Sequence, residues 1–156
     1  MLLLVTACGL PPSDWDGLKL WIRDKFPEVK TVTTDELAGW IANEQAPILL
    51  DVRTKDEYAV SHLRNARRAL TESEAVEALR GVEPDARVVV YCSVGYRSAK
   101  LASALQERGF RDVYNLEGSI FEWANEGRPV YSDGRPAHKV HPYDSKWGKL
   151  LDPEWH

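Results

Sequence analysis

The sequence predicts an α/β fold in which a parallel sheet is covered by helices on both faces. Residues 48–50 and 88–91 form two short apolar runs that do not alternate with polar residues. Such runs are typical of strands that are buried on both faces of a parallel sheet. Helix-capping signals separate the runs, and strands that alternate with helices indicate βα units joined by right-handed crossovers.

The helix starts are marked by a hydroxyl residue that is followed three positions later by an acid. In such a capping box the hydroxyl accepts a hydrogen bond from the third helical amide, and a Glu at that position accepts one from the amide of the cap residue. We therefore predict a helix at each occurrence of the pattern. The five occurrences are Ser13–Asp16, Thr33–Glu36, Thr54–Glu57, Thr71–Glu74 and Ser119–Glu122.

The helix ends are marked by glycine. Gly81, Gly109 and Gly127 each follow a helical pattern, and glycine enters the left-handed conformation after a helix at low cost. Two weaker strands are predicted, over residues 66–70 and 113–116.

The length of 156 residues allows one domain with its own core and two flanking segments. Residues 1–30 form the N-terminal segment, with an amphipathic helix predicted over residues 15–26. Residues 31–130 form the main α/β domain. Residues 131–156 are expected to be an irregular tail that packs on the domain, because a disordered segment would leave its large apolar side chains exposed to water.

The composition excludes several functional classes. A net charge of −4 argues against a nucleic-acid partner, which requires a basic face. Two cysteines are too few for a disulfide framework or a structural zinc site. His138 and His141 lie three residues apart, but no cysteine or acid pattern completes a metal shell around them, and we predict no metal site.

Cys8 ends the stretch Val5-Thr6-Ala7-Cys8, which resembles the cleavage box of bacterial lipoproteins. A secretory signal also needs a basic segment and about 7–15 apolar residues before the box, and neither is complete here. We expect a lipoprotein signal that lacks its first part, with a lipid on Cys8 and a periplasmic or membrane-anchored protein. The alternative is a chance resemblance and a cytoplasmic protein. No other segment is long and apolar enough to span a bilayer.

The strongest chemical signal runs from Cys92 to Ser98 and begins where a buried strand ends. Ligands of parallel sheets bind at the carboxyl ends of the strands. A short loop that turns at Gly95 directs its amides inward and binds negative charge, and the following helix adds the positive end of its dipole. Both effects favour the thiolate of Cys92, which is the nucleophile. The alternative is a small buried hydrophobic residue, and Gly95 and Arg97 favour the nucleophile.

The segment after Cys92 resembles the active-site loop of the rhodanese family. The family pattern is a cysteine, two variable residues, a glycine, one variable residue and a polar or basic residue. A second similarity covers residues 50–66, although Ser61 and Arg64 stand where the family usually has glycine and proline. A third similarity covers residues 109–123. Together they span about residues 31–130 in the order and spacing of the family.

The resemblance implies a five-stranded, mostly parallel sheet with helices on both faces, and it also implies a reaction. Cys92 takes a sulfane sulfur from a donor such as thiosulfate and passes it, as a persulfide, to a thiol, cyanide or protein acceptor. The covalent intermediate divides one difficult transfer into two easier ones. No metal or organic cofactor is implied. The predicted substrate-binding residues are Ser93, Val94, Gly95, Tyr96, Arg97 and Ser98.

Four polar residues near the loop have more than one interpretation. Arg97 is a candidate to orient an anionic donor, because its guanidinium matches paired oxygens; alternatively it faces solvent or pairs with an acid. Asp51 and Arg53 end a neighbouring strand, and we expect them to support the fold or the loop. His62 is interpreted as a hydrogen-bonding residue rather than as a general base.

Two rival functions share the same cysteine. The first is a sulfur-carrier or protein-binding module without catalytic activity of its own. The second is a phosphatase or arsenate reductase of related fold, which uses a longer loop to enclose a tetrahedral oxyanion. Here four residues separate Cys92 from Arg97, a spacing that fits a sulfur atom better.

Overall fold

The computed structural model describes residues 9–156, and its centre is a five-stranded sheet. The strands are β1 (Lys30–Val32), β2 (Ile48–Asp51), β3 (Arg67–Arg68), β4 (Val88–Tyr91) and β5 (Val113–Leu116). Their order in the sheet is β1-β5-β4-β2-β3, and all four neighbouring pairs are parallel. The predicted α/β class with a five-stranded parallel sheet is confirmed.

In the described part of the chain, six α-helices accompany the sheet: α1 (Trp15–Lys25), α2 (Thr34–Ala42), α3 (Lys55–Val60), α4 (Glu72–Ala78), α5 (Tyr96–Glu107) and α6 (Ser119–Asn125). Successive residues of the strands enter two different apolar clusters, because side chains of a strand alternate between the faces of a sheet. Leu50 and Val90 pack on one face with α4 and α5. Leu49 and Val89 pack on the other face with α1, α2 and α6. The helices therefore cover both faces.

Three of the five predicted capping boxes are present. Thr33, Thr54 and Thr71 each cap a helix, and in each case the Glu three residues later closes the box. The three helix-ending glycines all have positive φ angles, between 76° and 98°. These three caps and three glycines are thus placed as predicted.

The predicted boxes at Ser13 and Ser119 are wrong. The cap of α1 is Asp14, whose carboxylate accepts a hydrogen bond from the amide of Gly17 at 2.8 Å. The cap of α6 is Gly118, with a φ angle of 72°, and Ser119 is the first helical residue. The hydroxyl of Ser119 instead accepts a hydrogen bond from the amide of Cys92.

The strand β1 was not among the strands predicted from the apolar runs. It is only three residues long, lies at the edge of the sheet and buries one side chain, that of Val32. Such a short edge strand leaves almost no apolar pattern in the sequence.

Residues 131–156 were expected to be irregular, but part of this segment is regular. The strands β6 (Val130–Ser132) and β7 (Arg135–Ala137) form an antiparallel hairpin, and two short 3₁₀ helices follow at Trp147–Leu150 and Pro153–Trp155. The hairpin turns at Asp133 and Gly134, which both have positive φ angles. An Asp-Gly pair is a strong signal for this turn, so the hairpin was predictable.

Both flanking segments pack on the α/β body. Leu18 and Ile22 of α1 and Val140 and Leu151 of the C-terminal segment are buried in one cluster with residues of the sheet. Cys8 lies outside the described residues. Within residues 9–156, no helix is both long and apolar enough to cross a membrane.

Candidate active site

Cys92 follows β4 directly at the carboxyl end of the sheet, and three residues lead from it into α5. The loop turns at Gly95, whose φ angle of 116° is unfavourable for a residue with a side chain. The carbonyl of Gly95 accepts a hydrogen bond from the side-chain amide of Asn115 at 3.1 Å. Asn115 ends up beside the loop because β5 and β4 are neighbours in the sheet.

The sulfur of Cys92 is buried and receives hydrogen bonds from the loop. The residue is 1% exposed, and its Sγ atom accepts a hydrogen bond from the amide of Gly95 at 3.1 Å. The hydroxyl of Ser98 lies 3.5 Å from the same sulfur, although its shorter contact is to Asn115 at 2.6 Å. Burial raises the pKa of the Cys92 thiol. The charge of Arg97 and the hydrogen bonds from Ser98 and Gly95 lower this pKa by a larger amount, so it lies below its ordinary value. The site therefore raises the fraction of thiolate relative to an ordinary cysteine.

The backbone of the loop is held by the start of α6. The amides of Ile120 and Phe121 donate hydrogen bonds to the carbonyls of Cys92 at 3.2 Å and of Ser93 at 3.1 Å. The hydroxyl of Ser119 accepts a hydrogen bond from the amide of Cys92 at 3.1 Å. This contact explains why Ser119 does not cap its own helix. It also fixes the base of the loop with groups from a different element.

Arg97 pairs with an acid, which is one of the alternatives left open by the sequence. Its two terminal nitrogens donate hydrogen bonds to the carboxylate of Glu57 at 3.0 and 2.8 Å. One of them also donates to the hydroxyl of Ser93 at 2.9 Å, and this hydroxyl in turn donates to Glu57. Burial raises the pKa of Glu57, but the hydrogen bonds from Arg97 and Thr54 bring it down to about 2. Glu57 is therefore a buried carboxylate that holds Arg97 against the loop.

Asp51 and Arg53 form a second ion pair, which is fully buried. Two nitrogens of Arg53 donate to the carboxylate of Asp51, the shorter hydrogen bond being 2.7 Å. Arg53 also donates to the carbonyl of Ser61 at 2.6 Å and thereby ties β2 to the segment after α3. These contacts place both residues in the framework of the fold.

His62 and His141 make their recorded contacts with groups other than the Cys92 sulfur. The ring of His62 stacks on Tyr58 and is hydrogen-bonded through Nδ1 to the carbonyl of Tyr58 at 3.0 Å. His141 accepts a hydrogen bond from the amide of Tyr143. Among residues 9–156, no group of three or more His, Cys, Asp or Glu side chains is arranged to hold a metal ion.

Cys92 lies at the base of a cleft of about 210 Å³. The cysteine loop, residues 92–97 including the first two residues of α5, contributes half of the lining residues: Cys92, Ser93, Val94, Tyr96 and Arg97. The other half comes from the flanking segments: Pro11, Leu18, Trp21, Tyr143 and Trp147. Gly95 and Ser98, also predicted to bind substrate, contact the sulfur itself rather than the cleft.

Sequence reasoning did not assign several residues of the site. Glu57 was recognised as the acid of a capping box and Asn115 as part of a strand, and both within the family similarities, but neither was assigned to the site. For Asn115 a signal existed, since the carboxyl ends of neighbouring parallel strands meet at one edge of the sheet. The aromatic residues of the flanking segments carried no such signal, because their position depends on long-range packing.

The comparison with known proteins agrees with this geometry. The family model "Rhodanese-like domain" matches residues 33–126. The chain is similar to a probable adenylyltransferase/sulfurtransferase, MoeZ, of Mycobacterium tuberculosis, with 33% identity over 64% of this chain and 26% of that protein. It is also similar to the tRNA uridine(34) hydroxylase of Salmonella arizonae, with 28% identity over 96% of this chain and 42% of that protein. The chain thus spans less than half the length of these relatives.

A solved structure shows the same fold. The rhodanese-like domain protein of Staphylococcus aureus is 28% identical to this chain, with a TM-score of 0.58. The match covers 67% of this chain and 99% of that protein. The rest of this chain lies outside that match.

Proposed function

This chain belongs to the rhodanese-like domain family, and on that premise we propose that it transfers sulfane sulfur through a persulfide on Cys92. The observation that carries the proposal is the hydrogen bond of 3.1 Å from the amide of Gly95 to the Cys92 sulfur. An amide that already faces the sulfur stabilises the negative charge that this atom carries as a nucleophile and as a leaving group. The relatives with sulfurtransferase names support the same broad activity.

The first half-reaction loads the cysteine. With thiosulfate as the donor, the Cys92 thiolate attacks the outer sulfur, a new S–S bond forms to Sγ, and the donor S–S bond breaks. Sulfite leaves with the electron pair of the broken bond, and the enzyme holds a persulfide anion. The lowered pKa of Cys92 supports this step, since the attacking form is the thiolate.

The second half-reaction removes the outer sulfur from Cys92. A thiol or cyanide attacks the outer sulfur of the persulfide, the S–S bond to Sγ breaks, and Cys92 returns to the thiolate. With cyanide the product is thiocyanate. No protein residue changes its oxidation state over the full cycle, and the cycle needs no group beyond those of the donor and the acceptor.

The rival of related fold that acts on phosphate or arsenate fits the site poorly. The loop has four residues between Cys92 and Arg97, and both terminal nitrogens of Arg97 are hydrogen-bonded to Glu57. Because Arg97 is already bound to the buried carboxylate of Glu57, its guanidinium is not free to enclose a tetrahedral group.

The test is the intact mass of the protein after incubation with thiosulfate, followed by removal of excess donor. We expect the wild type to gain one sulfur atom and to release it as thiocyanate with cyanide. Cys92→Ser should do neither, whereas the matched control Cys8→Ser should behave as the wild type. Thiocyanate production by Cys92→Ser at the wild-type rate would falsify the proposal.

The same measurement separates catalysis from simple carrying. A carrier module would fail with thiosulfate and with inorganic polysulfide as small-molecule donors, and would take up sulfur only from a protein partner. Rapid loading of Cys92 from either small donor, with turnover to cyanide, identifies an enzyme.

A further inference from the structure

The cleft above Cys92 is completed by residues that lie outside the family match. Leu18 and Trp21 belong to α1, and Tyr143 and Trp147 belong to the C-terminal segment. All four lie outside residues 33–126. This wall of the cleft therefore comes from segments outside the family match, whereas the cysteine loop lies within it.

The added wall is attached to the cysteine loop itself. The ring of Trp21 stacks on Tyr96, with centroids 5.3 Å apart and an interplanar angle of 29°. The guanidinium of Arg97 lies 4.5 Å from the centre of the Tyr143 ring. Each flanking segment thus contacts one residue of the loop, and the aromatic wall has a defined position relative to the sulfur.

The charge of the cleft is largely balanced. Among the described residues that line it, Arg97 is the one with a permanent charge. Its partner Glu57 is 2% exposed. A substrate anion that drew Arg97 away would leave this buried carboxylate without its charged partner, which is strongly unfavourable. The rest of the wall offers aromatic faces and aliphatic groups, so it favours an apolar ligand.

We propose that the cleft selects a sulfur donor whose sulfane sulfur is attached to an aromatic body. This inference rests on the proposed function, and it adds the class of substrate and the residues that determine it. An apolar cavity of about 150 Å³ is large enough for benzene, and the present cleft of about 210 Å³ therefore has room for one ring and the atoms that join it to sulfur. Trp21 and Trp147 are the specificity-determining residues.

The probes are benzenethiosulfonate and methanethiosulfonate, which carry the same charge and the same reacting S–S bond. The Cys92 thiolate attacks the outer sulfur, the S–S bond of the donor breaks, and a sulfinate leaves with the electron pair. The two donors differ only in the group attached to the sulfonyl sulfur, which is phenyl in one and methyl in the other. Dividing each rate by the rate with free cysteine removes the difference in intrinsic reactivity.

We expect the corrected kcat/KM of the wild type to be at least about tenfold higher for the phenyl donor, since aromatic contacts are added. This preference should fall about fivefold or more in Trp21→Leu and in Trp147→Leu. It should persist in Leu20→Ala, a control on the same helix whose side chain is 56% exposed and does not line the cleft. Because the preference is a ratio within one preparation, it does not depend on the fraction of folded protein.

A second readout needs no sulfur transfer. Benzenesulfinate should quench the tryptophan fluorescence of Cys92→Ser at lower concentration than methanesulfinate does. Equal loading of Cys92 by both donors, or a preference unchanged in both tryptophan variants, would overturn this inference and leave the proposed function intact. No sulfur on Cys92 from any donor would overturn the proposed function as well.

Discussion

At the scale of single residues, the pair formed by Arg97 and Glu57 connects the cysteine loop to α3. Arg97 lowers the pKa of Cys92 through its charge, and Glu57 holds Arg97 where it does so. The guanidinium also donates to Ser93 in the loop. Arg97 therefore acts as a positioning residue in this arrangement, not as a free anion-binding group.

Replacing Arg97 by alanine should lower sulfur transfer from every donor by a similar factor. The loss of a charge-assisted hydrogen bond is worth roughly 1.5–3 kcal/mol, which corresponds to about ten- to a hundredfold in kcat/KM. Arg97→Lys should restore part of the activity, because it keeps the charge but not the paired geometry. The measurement compares thiosulfate with an uncharged organic trisulfide. A loss confined to thiosulfate would mean instead that Arg97 leaves Glu57 to bind the anionic donor.

Glu57 makes a pH-dependent contribution to stability. Its pKa in the folded protein is about 2, below the ordinary value of 4.5. A lowered pKa stabilises the fold above the ordinary pKa, and this stability is lost as the pH falls from about 4.5 toward 2. Between about pH 6 and about pH 3 the wild type should lose about 2 kcal/mol more than Glu57→Gln. Denaturant titrations at the two pH values measure this difference, and parallel losses would contradict it.

Local and long-range residues of the site differ in how well the sequence predicts them. Cys92, Gly95 and Arg97 lie within six residues of one another, and the strand before Cys92 and the helix that contains Arg97 define their position. Glu57 is 40 residues away from Arg97 along the chain, and its contact depends on how α3 packs. The sequence alone contains no measure of that packing.

At the scale of elements, helix caps offer a direct comparison of pattern and structure. Thr71 and Asp14 cap helices, whereas Ser13 follows the pattern of a cap without being one. Thr71→Ala and Asp14→Ala should each lower the free energy of unfolding by about 1 kcal/mol. Ser13→Ala should change it by less than about 0.5 kcal/mol. Urea denaturation checks all three, and an equal loss for Ser13→Ala would show that the cap of α1 is misassigned.

The elements that the sequence predicts well are those with a strong local pattern. The strands β2 and β4 are continuous apolar runs, and three capping boxes form as expected. The strand β1 and the predicted cap at Ser119 depend on distant residues. The strand β1 pairs with β5, and the hydroxyl of Ser119 binds the amide of Cys92 instead of capping α6. A pattern loses its predictive value where a tertiary contact competes for the same group.

At the scale of the whole molecule, the flanking segments share one core with the α/β body. Leu151 of the C-terminal segment is 2% exposed and belongs to the same cluster as Leu18 of α1 and Val89 of the central strand. Segments that share a core are expected to unfold together. The division into a body and two flanks describes the sequence and not separate units of stability.

Replacing Leu151 by alanine should destabilise the entire protein. A buried leucine truncated to alanine costs about 2–5 kcal/mol. The control is Leu70→Ala, because the side chain of Leu70 is 45% exposed. Thermal unfolding followed by tryptophan fluorescence and by far-ultraviolet circular dichroism should give one coincident, shifted transition. A separate early transition of the C-terminal segment would show that this segment is independent.

The burial of the Cys92 sulfur has a consequence for regiochemistry. A persulfide places its outer sulfur about 2 Å beyond Sγ, toward the cleft, while Sγ itself stays covered. An acceptor thiol that attacks the outer sulfur departs with it, whereas attack on Sγ would join the acceptor to the protein as a mixed disulfide and release hydrogen sulfide. Since the outer sulfur of the loaded cysteine stands between Sγ and the cleft, we expect delivery to the acceptor to be favoured over formation of a mixed disulfide.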